Sequence, residues 1–284
     1  MIDRLFVILQ HLLPRYALTA LVYRLARLRT PRLKNAMIRQ FVRLYDVDLA
    51  GVQQPVPEGF ATFNDFFTRA LEPGARPVCR DAAALVSPVD GTVSAAGHIE
   101  GDAVFQAKGR HYSLADLLLL DTARARGFHG GNFATIYLAP YNYHRVHAFM
   151  AGELDVLHYV PGDLFSVNSA TAAHVPRLFA RNERLVMHFA TERGPAALVF
   201  VGALNVGSIS TPWTGEIRPR RRGSAEQLDA GDRPRQVAAG DLLGWFNMGS
   251  TVILLLPAGT VEWQDDLAPG TLLRMGEQIG SVKG

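Results

Sequence analysis

Three scarcities narrow what this chain of 284 residues is able to do. It has one cysteine, Cys79, which cannot close an internal disulfide or build a cysteine-rich metal site, so a reducing compartment is expected. Its lysines are three, Lys34, Lys108 and Lys283, the other 26 of its 29 basic residues being arginine. Pyridoxal chemistry would therefore have to find its Schiff-base lysine among those three. No apolar run approaches the ~20 residues that a bilayer-spanning helix needs. Leu5–Leu13 stops at Pro14, and Ala17–Ala26 is interrupted by Arg24. No internal repeat of fixed period and no low-complexity tract is found.

What is present is a globular composition, 48% hydrophobic and 19% charged, with an uneven distribution of charge. Through Tyr45 the chain carries nine basic residues against Asp3 alone, a local net of +8, so the remainder sums to −5 within the overall +3. Leu18, Leu21, Val22, Leu25 and Leu28 recur at helical spacing with Arg24 and Arg27 interleaved. After Thr30-Pro31, a second stripe runs through Leu33, Met37, Phe41 and Leu44, with Arg32, Arg39 and Arg43 off it. Two or three short basic amphipathic helices follow from this pattern. An apolar face beside a cationic one suits an anionic lipid surface. Nucleic acid is not expected, because a phosphate backbone has no use for the Leu, Ile and Phe.

From Val52 onward the texture changes. Pro55, Pro57 and Gly59 mark a linker, and Phe60–Phe67 reads as a short aromatic helix. Gly and Pro then punctuate short β-rich runs: Thr92–Ser94, Phe133–Leu138, Leu185–Phe189, Ala197–Val201, Val206–Ile209 and Thr251–Leu256. A helix is expected over Leu114–Arg126 and a mobile polar loop over Arg218–Arg235. The fold class is thus α+β, N-terminal amphipathic helices followed by a mainly antiparallel β core. Domain limits fall at 1–50 and 51–284. Ser87–Val93 with Gly240–Gly244 carries a faint likeness to barrel-sandwich hybrid folds of the biotinyl and lipoyl kind.

Three stretches carry chemistry. In Ser87-Pro88-Val89-Asp90-Gly91, Pro88 fixes an extended approach and Gly91 permits a bend, which holds Asp90 at a turn. In Tyr141-Asn142-Tyr143-His144-Arg145-Val146-His147, two imidazoles titrate near neutrality and suit acid–base work. No H-E-x-x-H pattern or nearby third ligand accompanies them, so no metal is expected. In Asn247-Met248-Gly249-Ser250-Thr251-Val252, a serine opens a strand without the G-x-S-x-G setting of a hydrolase elbow.

In combination these stretches resemble the bacterial phosphatidylserine decarboxylases. The resemblance extends through Thr62–Phe67, Gln106–Gly109, Val160–Asn168 and Leu178–Arg184, with Met248 standing in place of the usual leucine of Leu-Gly-Ser-Thr. It implies a proenzyme that cuts itself between Gly249 and Ser250 into a β chain, 1–249, and an α chain, 250–284, which stay associated. Ser250 would be the nucleophile, His147 its base and Asp90 the group that orients His147. Ser250 would then become a covalent pyruvoyl group, the electron sink for decarboxylating phosphatidylserine to phosphatidylethanolamine in membrane phospholipid biosynthesis. His144 would return the proton or position substrate, and Ser166 and Asn168 would contact the phosphodiester. The implied location is peripheral, on the cytoplasmic side of the cell membrane, and a homodimer is compatible with the sequence. The rival reading is a membrane-associated Ser-His-Asp hydrolase built from the same three residues.

Overall fold

The computed structural model describes residues 2–283. Three helices lead: α1 (Ile2–Leu12), α2 (Arg15–Ala26) and α3 (Pro31–Tyr45). Pro14 separates the first two, which meet at 89°. Pro31 occupies the first position of α3, where its missing N–H costs nothing, and Asp46 ends that helix in a left-handed conformation, φ 47°. No single helix among the described residues is long and apolar enough to cross a membrane. The expected stripes are split between two surroundings. Met37 and Phe41 pack inward on Phe63, Phe66 and Phe67, whereas Leu12, Leu21, Leu25, Leu33 and Leu44 face outward. Lys34, unlike its basic neighbours, is buried, and its Nζ donates to Pro57 O and Asn35 Oδ1.

The core is the expected antiparallel one. A nine-stranded sheet runs in the order Glu226–Leu228, Gly152–Val160, Arg184–Thr191, Gly194–Val201, Thr251–Leu256, Asn132–Tyr137, Gly91–His98 and Leu272–Leu273, with Gln236–Val237 also pairing on Gly152–Val160. It stays open rather than closing into a barrel. All six residues of Thr251–Leu256 are buried, since this strand lies between two long neighbours and both its faces are covered. Truncating Leu254 to Ala there would cost about 2–5 kcal/mol.

Three local expectations need correction. Leu114–Arg126 is not one helix but two short ones, Leu114–Leu118 and Thr122–Ala125, followed by a 3-10 turn. Leu119 adopts φ 57°, which ends the first, and the Asp121 carboxylate accepts from Arg124 N at the start of the second. Val206–Ile209 starts a strand only at Ile209, because Val206 N closes a turn onto Ala203 O and Gly207 packs against the Tyr23 ring. The segment 218–235 contains an edge strand, Glu226–Leu228, hydrogen-bonded to the large sheet.

A second, four-stranded sheet orders Gly215–Ile217, Ile209–Thr211, Leu242–Phe246 and Arg145–His147. Two chain segments step between the sheets side by side. Residues 138–144 leave the large sheet for the small one, and 247–250 make the return. They are tied at both ends, by Leu138 N donating to Ser250 O (2.8 Å) and Phe246 N donating to His144 O (3.1 Å). This double crossover brings the histidine motif against the Gly-Ser step.

Candidate active site

Ser250 and His144 are both fully buried, at 0% exposure. Neither Ser250 Oγ nor His144 Nε2 has a hydrogen-bond partner, which is a costly condition for buried polar atoms. A Cβ built on Gly249 would stand 3.2 Å from His144 Nε2 and 3.3 Å from Leu138 O, so a side chain here would crowd the imidazole. Immediately before it, Met248 holds φ 148°, a backbone region that L residues rarely occupy and that costs on the order of 1–3 kcal/mol. The neighbouring residues maintain that strain. Asn247 accepts from Asn64 Nδ2 (3.0 Å) and donates to Ser208 Oγ (2.8 Å) and Ser210 Oγ (2.9 Å).

Asn64 belongs to the short helix α4 (Phe63–Phe67), which Thr62 caps by accepting from Asp65 N. Phe67 of the same helix lies against the His144 ring, with centroids 4.0 Å apart. The Thr62–Phe67 motif thus buttresses both sides of the Gly-Ser step. His144 Nδ1–H donates to Asn142 O (2.8 Å), leaving Nε2 as the bare lone pair. Full burial, and then the Arg69 charge, push its pKa down to about 3.

His147 is placed differently. Its Nδ1–H donates to Gly240 O (2.7 Å), and its Nε2 accepts from the Tyr143 hydroxyl (3.0 Å). The hydrogen bond expected from Asp90 to this imidazole is not formed. Arg76 grips the Asp90 carboxylate through Nε (2.9 and 3.0 Å) and Nη2 (2.6 Å), and Met275 N donates to it as well (2.9 Å). A forked, charge-assisted pair outcompetes a neutral imidazole for the carboxylate. Burial, helped by the Arg145 charge, lowers the His147 pKa; the Gly240 carbonyl and, more weakly, the Asp90 charge oppose that shift.

The Val160–Asn168 and Leu178–Arg184 motifs are engaged elsewhere. Asn168 caps the helix Ser169–His174, its Oδ1 accepting from Thr171 N and Thr171 Oγ1 (both 2.9 Å). Ser166 N donates to Gln10 Oε1 (2.8 Å), and Ser166 Oγ accepts from Asn168 N. Arg15 pairs with Asp163, and the Tyr16 hydroxyl donates to Gly162 O, so this loop receives the bend between α1 and α2. Arg181 also pairs with Asp163. Arg184 is buried, not solvated, and spends its guanidinium on the carbonyls of Asp116, Leu117, Ala180 and Asn182. Sequence reasoning passed over Arg69, Arg76, Tyr143 and Asn247. Only their nearness to the motifs, as in Phe66-Phe67-Thr68-Arg69, signalled them.

A buried serine follows a strained backbone step, the His144 imidazole lies against Gly249, and His147, held by Gly240 O and the Tyr143 hydroxyl, stands in unlike surroundings. A family model described as phosphatidylserine decarboxylase matches residues 63–281, and one described as PSD matches 5–46. The phosphatidylserine decarboxylase proenzyme of Azotobacter vinelandii is 50% identical over 282 residues, covering 99% of both chains. That of Acidovorax ebreus is 50% identical over 279 residues, covering 98% of both. That of Saccharophagus degradans is 46% identical over 281 residues, covering 99% of this chain and 98% of its own. The chain belongs to the phosphatidylserine decarboxylase family, and so to the carboxy-lyases.

Proposed function

We propose that this chain decarboxylates phosphatidylserine to phosphatidylethanolamine and CO2, using a pyruvoyl group that it makes from its own Ser250. The carrying observation is the pair of sealed, unpartnered atoms, Ser250 Oγ and His144 Nε2, at the strained Met248-Gly249 step. A conventional hydrolase must present its serine to a substrate arriving from solution. A serine at 0% exposure suits an attack on its own backbone.

In the cutting step, Ser250 Oγ attacks the Gly249 carbonyl carbon and passes its proton to His147 Nε2, which gives up the Tyr143 hydroxyl to receive it. The proton moves on to the Ser250 nitrogen as the C–N bond breaks, leaving an ester. His147, neutral again, takes the Ser250 Cα proton as the Cβ–O bond breaks, which releases the Gly249 carboxylate and leaves dehydroalanine at position 250; this enamine tautomerises to the imine, and water converts it to pyruvoyl with loss of ammonia. The unlike environments of the two histidines divide the work. His147, whose charged form the Gly240 carbonyl supports against burial, keeps more basicity than His144 and is the better base. His144, weakly basic because it is buried and then because Arg69 is near, releases a proton readily once it holds one.

Once formed, the pyruvoyl group supplies the electron sink for decarboxylation without a lysine. His144 Nε2 takes the proton that the substrate's amine gives up and returns it to Cα after CO2 has left. Residues 1–50 dock the catalytic body, 51–284, on the cytoplasmic face of the membrane. The outward Leu12, Leu21, Leu25, Leu33 and Leu44, with the flanking arginines, support this placement.

The experiment is Ser250→Ala on a denaturing gel. The wild type should run as two chains and the variant as one; a cut variant would remove Ser250 as the nucleophile.

A further inference from the structure

Arg69 is an anomaly among the buried arginines. It is 3% exposed, yet its guanidinium makes one hydrogen bond, Nη2 to Tyr141 O (3.2 Å), and Nε and Nη1 have no partner. Buried Arg184 by contrast holds four carbonyls, and the half-buried Arg76 holds a carboxylate. The Arg69 guanidinium lies 5.2 Å from the centre of the Phe66 ring, a cation–π contact that offsets only part of the cost of burying a cation. Arg69 also bridges two places that matter. On one side its charge depresses the proton affinity of His144, and on the other it lines a cavity of about 190 Å³ with Arg145, Gln53, Gln54, Thr68 and Asp65, two cationic residues to one anionic. Arg145 is fixed there by donating from Nε to Thr68 O (3.0 Å). The two residues following Phe67, whose ring packs on His144, are Thr68 and Arg69.

We infer that Arg69, with Arg145 beside it, is the subsite for the phosphodiester of the lipid headgroup. This rests on the function proposed above. The headgroup offers two anions, and the chemistry selects between them. The carboxylate loses its charge as CO2 departs, so a cation bound to it would stabilise the ground state over the transition state. The phosphodiester keeps its charge throughout. A cation there binds both states equally and acts on KM rather than kcat.

The test uses self-cleaved wild-type enzyme, Arg69→Gln and Arg69→Lys, assayed on a soluble short-chain phosphatidylserine. Losing a charge-assisted hydrogen bond to the phosphodiester should raise KM roughly 10- to 100-fold in Arg69→Gln, a larger change than any in kcat, which shifts only through the Arg69 charge on His144. Arg69→Lys should fall between the two, because it keeps the charge and loses the fork. Glycerophosphoserine should inhibit the wild type competitively and more strongly than inorganic phosphate, and both should lose potency against Arg69→Gln. A fall in kcat at unchanged KM, equal inhibition of wild type and variant, or equal potency of the two probes would overturn the assignment. So would failure of both variants to mature, which would make Arg69 a folding residue. A matured wild type that leaves the lipid intact would instead overturn the functional reading. Calorimetric loss of glycerophosphoserine binding in Arg69→Gln would even then uphold the anion site.

Discussion

Exchanging the two histidines one at a time separates cutting from decarboxylation. His144→Ala removes the stack on Phe67 and the bond to Asn142 O, each worth about 0.5–1.5 kcal/mol, so the loss is roughly 1–3 kcal/mol. A domain stable by about 5–15 kcal/mol survives that and stays assayable. His147→Ala removes the bonds to Gly240 O and Tyr143 at similar cost. The chemical consequences diverge. Removing a general base slows its step by about 10²–10⁴-fold, so His147→Ala should remain a single chain for hours after synthesis. His144→Ala should cut at close to the wild-type rate yet decarboxylate about 10²–10⁴-fold more slowly. Pulse-labelled synthesis followed by a denaturing gel reads the first effect, and release of labelled CO2 reads the second. An uncut His144→Ala beside a normally cut His147→Ala would reverse the assignment and refute the reasoning from their environments.

Other consequences follow from single contacts. Asn247→Ala strips three side-chain hydrogen bonds from the strained crossover and should cost about 2–4 kcal/mol while slowing self-cleavage, measured by denaturant unfolding and by gel. Glu183 is buried, its carboxylate accepting from the Tyr159 hydroxyl, and burial pushes its pKa up from 4.5 to about 7. The folded state therefore holds that proton more tightly than the unfolded state. The stability it contributes is complete below pH 4.5 and is lost as pH rises through about 7, about 3 kcal/mol in all. Glu183→Gln should gain on the wild type by roughly 6 °C in Tm between pH 5 and pH 8. Leu12→Asp with Leu21→Asp, at sites 78% and 52% exposed, should leave folding intact and weaken binding to anionic vesicles by about 100-fold or more in a flotation assay.

Much of the fold was legible because local chemistry and tertiary context agree there. Thr251–Leu256 is a run of aliphatic residues that only a doubly covered strand satisfies, and it was read with its true limits. Leu114–Arg126 failed because its apolar spacing continues through a left-handed Leu119 that no single-residue preference announces. At the site, Asp90, His144, His147 and Ser250 were recognisable as a combination of motifs, whereas their partners were not. The clamp of Arg76 on Asp90 joins residues whose meeting is decided by the strand Gly91–His98 and the loop before it. Asn168 caps the helix Ser169–His174, a use that reading it only as a substrate contact did not register. Arg69 was invisible for the opposite reason. An arginine two residues beyond a helix reads as solvated until burial shows that it is not.

The central claim is that Ser250 ceases to be a serine, and intact-mass measurement of the purified protein tests it most directly. The account predicts two chains, 1–249 and 250–284, the smaller lighter by one ammonia than the same peptide beginning with serine. A single mass for the unbroken chain, or a smaller fragment that retains its amine, would contradict it.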